Sequence, residues 1–268
     1  MPQSFRLSVA ELAFAMAYSG ALEAGYGYLQ TVLGDIQPER FNDWMTSASH
    51  SLIARGLLQA QPDGSYGELD GDLRLIAQSM TRDQRTLRCH RSQQGPDGAI
   101  EQFVNVLFDD ALIVAHWIEQ NVVAVVETMP SRSDAVAKIA LFMGAPSDPP
   151  APEPFLATPT IPTDQLARLR RAARGLTAAQ MGEQLRRFID VDWLDDLATT
   201  LTAPDAVWGD VLRIERINDE VTADRGFLFV SSTDAAWLLR SVAPDGSQLA
   251  ILPALQPTLA TLCEEALA

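Results

Sequence analysis

Hydrophobic residues in the first third of the chain recur at the three- and four-residue spacing of amphipathic helices. Leu7, Leu12 and Met16 share one such face, and Ser8 with Glu11 three places on forms a capping-box pattern at its start. Glycines and a proline mark the ends of these segments. The predicted helices cover residues 7–20, 21–33, 38–55 and 71–80.

The pattern then changes to alternation of apolar and polar residues, which is typical of half-buried strands. Short turn sequences, such as Gln120-Asn121, separate four alternating segments. The predicted strands cover residues 86–93, 99–110, 111–120 and 121–129, and a helix is predicted at 131–143. Such a succession of short strands predicts an antiparallel meander.

A proline-rich segment follows, with seven prolines between residues 146 and 162. This density of proline prevents helix formation and favours an extended spacer, so residues 146–163 are predicted to be a linker. The second half then repeats the order of the first. Helices are predicted at 164–174, 177–189 and 192–201, strands at 211–219, 225–233, 235–243 and 248–255, and a last helix at 257–267.

Two similar hexapeptides support an internal repeat. Residues 86–91 read TLRCHR and residues 211–216 read VLRIER, and each starts four predicted strands followed by a helix. A four-stranded meander with one helix leaves a face and its edges exposed, so two copies related by a pseudo-two-fold axis could bury each other.

The predicted fold class is therefore α+β, with a central antiparallel sheet flanked by helical bundles. A single body over residues 1–268 is expected, built from two pseudo-repeats. The repeats are assigned to residues 1–145, with helices over 7–80, strands over 86–129 and a helix at 131–143, and to residues 164–268.

Charge and cysteine content limit the classes of partner. The chain has 35 acidic and 20 basic residues, and a net charge of −15 repels nucleic acid and anionic lipid surfaces. The two cysteines, Cys89 and Cys263, form no CxxC pair, which is typical of a reducing compartment. No signal peptide or transmembrane span is predicted, so a cytoplasmic location without membrane binding is expected.

Catalytic and metal-binding patterns are not found in the sequence, so no enzyme activity, cofactor or metal is expected. His90 and His116 lie in predicted strands, but Cys89 and His90 are adjacent and must point to opposite faces. Acidic pairs such as Asp109-Asp110 and Asp195-Asp196 fall in turns or at helix starts, where aspartate is common. Six arginines form a basic patch whose role stays open: Arg168, Arg170, Arg171, Arg174, Arg186 and Arg187.

Two longer stretches resemble the EspG proteins, the chaperones of type VII secretion. They are LIARGLLQAQPDGSYGELDGDLRLIAQSMTRDQRTLRC at 52–89 and LATTLTAPDAVWGDVLRIERINDEVTADRGFLFVSS at 197–232. The resemblance implies a pseudo-two-fold α/β body with flanking helical bundles. It also implies a cytosolic protein that keeps a secreted partner soluble, as that family does for PE–PPE heterodimers.

The leading hypothesis is a non-enzymatic protein that binds a protein partner, which could be a secreted helical substrate. Candidate contacts are strand aromatics: Trp117, Phe227, Phe229 and Trp237. The alternative is a transcriptional regulator, because the helix at 38–55 followed by the Pro62–Gly64 turn resembles a winged helix, with the C-terminal part sensing a ligand or partner. The sequence does not identify the partner or the oligomeric state.

Overall fold

The computed structural model of the chain describes residues 3–82, 84–95, 98–109, 111–145, 158–217 and 220–267. Most of the predicted linker lies outside these ranges, and so does Asp110. The described residues form an α+β fold with a large antiparallel sheet, as the sequence predicts.

The helices agree with the predicted segments to within a few residues at most of their ends. They are α1 (Val9–Tyr18), α2 (Leu22–Leu33), α3 (Pro38–Ala54), α4 (Gly71–Ser79), α5 (Arg132–Met143), α6 (Thr163–Ala172), α7 (Ala178–Leu185), α8 (Leu194–Thr202) and α9 (Gln256–Leu267). The capping box at the start of α1 is confirmed, because Ser8 accepts from the backbone N–H of Glu11 and Glu11 accepts from that of Ser8. Thr177 and Gln180 form the same motif before α7.

The strands include four that the sequence pattern did not predict. The strands are β1 (Ser4–Ser8), β2 (Leu58–Ala60), β3 (Tyr66–Leu69), β4 (Gln84–Gly95), β5 (Gly98–Phe108), β6 (Ile113–Glu119), β7 (Val123–Met129), β8 (Thr160–Pro162), β9 (Val207–Ile217), β10 (Glu220–Ser231), β11 (Ala236–Ser241) and β12 (Gln248–Pro253). The unpredicted β1, β2, β3 and β8 are each five residues or shorter. The region 7–80 is thus not wholly helical, since β2 and β3 form a hairpin between α3 and α4.

Ten strands form one sheet with the order β1-β7-β6-β5-β4-β9-β10-β11-β12-β8. At one end of the sheet, the short strand β1 lies beside the meander β4–β7, which it joins at β7. At the other end, the short strand β8 lies beside the meander β9–β12, which it joins at β12. Matched positions of the two similar hexapeptides differ in burial. Leu87 and Cys89 are fully buried, whereas the matching Leu212 and Ile214 are half-buried. The internal repeat in the sequence therefore stays a prediction, while both meanders have the predicted strand order.

The described residues divide into two compact units. Unit 1 falls within Met1–Thr86, Val104–Arg132 and Glu215–Thr222, and unit 2 within Leu87–Phe103, Ser133–Ile214 and Ala223–Ala268. These units differ from the predicted sequence repeats, and the assignment of 1–145 and 164–268 as repeats stays a prediction.

Each unit has its own hydrophobic core. In unit 1, α1 contributes Leu12 and Ala13, which have no exposed surface and pack with residues from α2, α3 and α4. In unit 2, Ile161, Met181 and Ile251 are likewise fully buried. None of the helices in the described part of the chain has the length and apolar character that a bilayer span requires.

Candidate functional site

In unit 2, one face of strand β4 is buried and apolar, and the other is polar and partly exposed. Leu87 and Cys89 are fully buried, whereas Arg88, His90 and Ser92 are partly exposed. Successive side chains of a strand point to opposite faces, so these three polar residues lie on the other face of β4. This confirms the prediction that Cys89 and His90 face in opposite directions.

A hydrogen-bond network is centred on the imidazole of His90. Its Nδ1 lies 2.9 Å from Oδ1 of Asp210 on β9, and its Nε2 contacts Oε2 of Glu101 on β5. Ser92 donates from Oγ to the other oxygen of Glu101 at 2.7 Å. The hydrogen bonds from Ser92 and His90 hold the pKa of Glu101 below its usual value, since both favour the ionised carboxylate.

Aromatic and cationic groups surround this network. The rings of His90 and Phe103 stack with centroids 4.7 Å apart and planes 21° from parallel. The guanidinium carbon of Arg88 lies 4.7 Å from the same Phe103 centroid. Phe103 is nevertheless 40% exposed, so its ring is held in place and still available for contact.

Arg170 on α6 lies over an aromatic ring, as Arg88 lies over Phe103. Its guanidinium carbon lies 4.7 Å from the ring centroid of Trp208 on β9. Burial lowers the pKa of Arg170, and the charges of Asp210 and Glu101 partly oppose this shift. The name His90 surface is used below for Arg88, His90, Ser92, Glu101, Phe103, Arg170, Trp208 and Asp210.

The chemistry of the His90 surface favours binding. Ser92 donates to Glu101, so its hydroxyl is not paired with the imidazole as a serine nucleophile would be. Among the described residues, no group of three or more His, Cys, Asp or Glu side chains is arranged to hold a metal ion. Phenylalanine, tryptophan and arginine, which occur together in the His90 surface, are instead residue types enriched at protein–protein interfaces.

The four aromatic residues predicted as partner contacts are divided between the units, with Trp117 in unit 1 and the other three in unit 2. Trp117 is partly exposed and donates from Nε1 to Glu119 at 3.1 Å. Phe227, Phe229 and Trp237 are buried, with exposed fractions of 1%, 0% and 4%. They contribute to packing, and a direct contact with a partner would first require them to be uncovered.

The arginine patch is partly neutralised by neighbouring acids. Arg168 pairs with Asp164 at 3.4 Å, and Arg186 pairs with Asp195 at 2.7 Å. These ion pairs support the interpretation of a solvated face for part of the patch. Arg170 differs, because it lies over Trp208 in the His90 surface.

Two further candidate titratable groups, His116 and Asp109, each lie near a partner side chain. His116 lies in unit 1, where its Nε2 is 3.0 Å from the hydroxyl of Tyr28. Oδ2 of Asp109 lies 3.7 Å from Nη1 of Arg82. Neither arrangement brings two histidines or two carboxylates to one place.

From the sequence, only His90 and Arg170 of the His90 surface were candidates. Arg88, Ser92, Trp208 and Asp210 were not, and neither were Glu101 and Phe103. Both lie on β5, and residues 99–103 are all exposed although they belong to a strand. One usable signal is present in the sequence, since a histidine and an arginine share the polar face of β4 with Ser92. The pairing of β4 with β9, which brings Asp210 to His90, is not visible in the sequence.

Comparison with known proteins gives a match at the level of structure. No family model and no curated protein sequence matches the chain. Among solved structures, 13 chains match it. One is the type VII secretion system chaperone EspG5 of Mycobacterium tuberculosis, solved in complex with the PE25–PPE41 dimer. The TM-score is 0.64 at 14% sequence identity, over 99% of this chain and 96% of that one. The chain has an EspG-like fold. At this identity, the likeness of the EspG-like chain to EspG5 shows the fold alone.

Proposed function

We propose that this EspG-like chain is a non-enzymatic, chaperone-like protein that binds a protein partner and keeps it soluble in the cytoplasm. The main support for this proposal is that almost the whole chain is structurally similar to a chaperone solved with a bound protein dimer. A net charge of −15 also suits a protein that must expose apolar binding surface and remain soluble.

The two edges of the large sheet are poorly suited to binding an extended peptide. Strand β8 has only three residues and ends in Pro162, which has no N–H to donate. Two backbone groups of β1 are already bonded to side chains of Arg55 and Glu11. Recognition through side chains is therefore favoured over strand addition.

The His90 surface is the proposed contact. Phe103 and the half-buried Trp208 offer apolar area, and the arginines stacked on them lose little side-chain freedom when they bind. The protein dimer bound by EspG5 supports a protein partner, and the proposed partner class is a secreted helical protein. Among the residues predicted from sequence, Trp117 in unit 1 is partly exposed and stays a separate candidate contact.

The regulator hypothesis has one supporting feature and one opposing feature. The β2–β3 hairpin directly follows α3, as a wing follows a recognition helix. However, α3 contains Glu39 and Asp43 against Arg40, and a helix that reads DNA needs a basic surface. We therefore favour a protein partner.

Affinity capture tests the proposal. The tagged chain is used to recover proteins from its native host, and the binding of a recovered protein is then measured for wild type and Phe103→Ala. We expect Phe103→Ala to weaken binding by roughly 25-fold, because truncating an aromatic hot spot costs about 2 kcal/mol.

Val242→Ala serves as the matched control, since Val242 is also in unit 2 and is 53% exposed. It should bind like wild type. Failure of the wild-type chain to retain any protein across growth conditions would contradict the proposed function, and equal binding by Phe103→Ala would contradict the proposed surface.

A further inference from the structure

Strand β1 is an edge strand of the large sheet, with β7 as its neighbour within the described residues. Its pairing is antiparallel, with Phe5 opposite Val126 and Leu7 opposite Ala124. Gln3 accepts from the N–H of Thr128, so residues 3, 5 and 7 direct their backbone groups toward β7. By alternation, the backbone groups of residues 4, 6 and 8 point outward, where another strand could add.

Two of these outward groups are occupied by one side-chain network. Arg55, just after α3, donates from Nη2 to the carbonyl oxygen of Arg6 at 2.9 Å. The outward N–H of Ser8 donates to Oε2 of Glu11 at 2.6 Å. Arg55 also donates from Nη1 to that same oxygen at 2.9 Å, which links both contacts into one structure.

The network is rigidly anchored at one end and accessible at the other. The side chain of Glu11 is 4% exposed, and its second oxygen accepts a hydrogen bond from Ser51 at 2.8 Å. The side chain of Arg55 is 39% exposed. A buried carboxylate with three donors is costly to disturb, whereas a partly exposed guanidinium can move away from the strand edge.

We propose that Glu11 and Arg55 form a clamp that closes the β1 edge against a second copy of this chain. Antiparallel strands can pair with themselves about a two-fold axis, so an open β1 is complementary to the β1 of another molecule. The geometry supports this occupant because the clamp takes the Arg6 carbonyl, the central outward acceptor of the strand. In a two-fold pairing centred on Arg6, the N–H of Arg6 in each copy would need the Arg6 carbonyl of the other copy, and that acceptor is already bonded to Arg55.

The test compares the molar mass in solution of wild type, Arg55→Met and Arg55→Met/Ser4→Pro by light scattering over a range of concentrations. Methionine keeps the length and apolar stem of arginine but removes its donors. We expect Arg55→Met to show a concentration-dependent rise toward twice the wild-type mass. Ser4→Pro removes an outward N–H and should return the mass to the wild-type value.

Arg40→Met is the matched control, because Arg40 is an exposed arginine on the neighbouring helix α3. It should have the wild-type mass, and thermal melting establishes that each variant is folded. A wild-type mass for folded Arg55→Met at every concentration would overturn the clamp. Association that Ser4→Pro does not reverse would overturn β1 as the pairing surface. If Arg55→Met does not fold, Arg55→Lys gives the same comparison, because a single ammonium keeps the charge beside Glu11 but cannot bond Glu11 and the Arg6 carbonyl through two separate nitrogens.

Discussion

At the scale of single residues, the buried His116 and the half-buried Tyr28 in unit 1 predict that stability depends on pH. Burial lowers the pKa of His116 to about 4, since the charged imidazolium loses its hydration. Burial likewise raises the pKa of Tyr28. Both side chains are therefore neutral in the folded chain at neutral pH, and they share a hydrogen bond of 3.0 Å.

The direction of the pH effect follows from the lowered pKa of His116. An unfolded histidine has a pKa of about 6.5, so below that pH the unfolded chain binds a proton that the folded chain does not. The stabilising contribution is complete above about pH 6.5 and is lost as the pH falls toward about 4. The free energy of unfolding should drop by roughly 2 kcal/mol from this group between about pH 7 and about pH 5.

Urea denaturation of wild type, His116→Gln and His50→Gln at the two pH values measures this contribution. His50 is exposed on α3, so His50→Gln should keep the wild-type pH dependence. His116→Gln should be less stable at neutral pH and should lose about 2 kcal/mol less on acidification than wild type does. An unchanged pH dependence in His116→Gln would contradict the assignment.

At the scale of elements, the sequence predicts the long segments well and the short ones poorly. The helix starting after Ser8 and the helix starting after Thr177 were both indicated by local capping residues. Strand β1 was not, because five residues form a strand here only by pairing with β7, more than a hundred residues away. Strand β8 similarly depends on its pairing with β12.

Strand β9 contains a glycine that its neighbours require. A Cβ at Gly209 would overlap the backbone carbonyl oxygen of His90 and the ring of Phe229. The fully buried ring of Phe229 and a sheet carbonyl cannot move away at low cost. We expect Gly209→Ala to lower the free energy of unfolding by about 2–3 kcal/mol through overpacking.

Gly27→Ala provides a control of opposite sign. Gly27 lies inside α2, and a Cβ there would meet no atom within 4 Å. Alanine in a helix interior is better than glycine by about 0.5–1 kcal/mol, so this variant should be more stable than wild type. Chemical denaturation of both variants gives the two signs, and a Gly209→Ala protein as stable as wild type would show that β9 can shift without cost.

At the scale of the whole molecule, the strand order could be predicted within each meander but not between distant strands. Alternation and turn residues indicated β4 to β7 and β9 to β12. The contact of His90 with Asp210 joins residues 120 positions apart, and it depends on β4 lying beside β9. No local sequence pattern indicates that β9 is the neighbour of β4. The polar face of β4 could therefore be predicted from the sequence, whereas the His90 surface could not.

Unit 2 is built from segments of both halves of the chain, which predicts how the two halves behave when they are separated. Unit 2 draws residues 87–103 and α5 from the first half of the sequence. Cys89 and Ile139, from these two segments, have no exposed surface. A fragment of residues 158–268 would lose these partners and expose apolar surface that they cover, which is strongly destabilising.

Separate expression of residues 1–145 and 158–268 tests this dependence. We expect the 158–268 fragment alone to lack a cooperative thermal transition and to lack near-ultraviolet circular dichroism from its aromatic residues. Mixing the two fragments should restore both signals, because unit 2 needs strand and helix residues from both pieces. A cooperative transition in the isolated 158–268 fragment would show that its helices and β9 to β12 hold a core without residues 87–103 and α5, and would favour independent domains over interleaved segments.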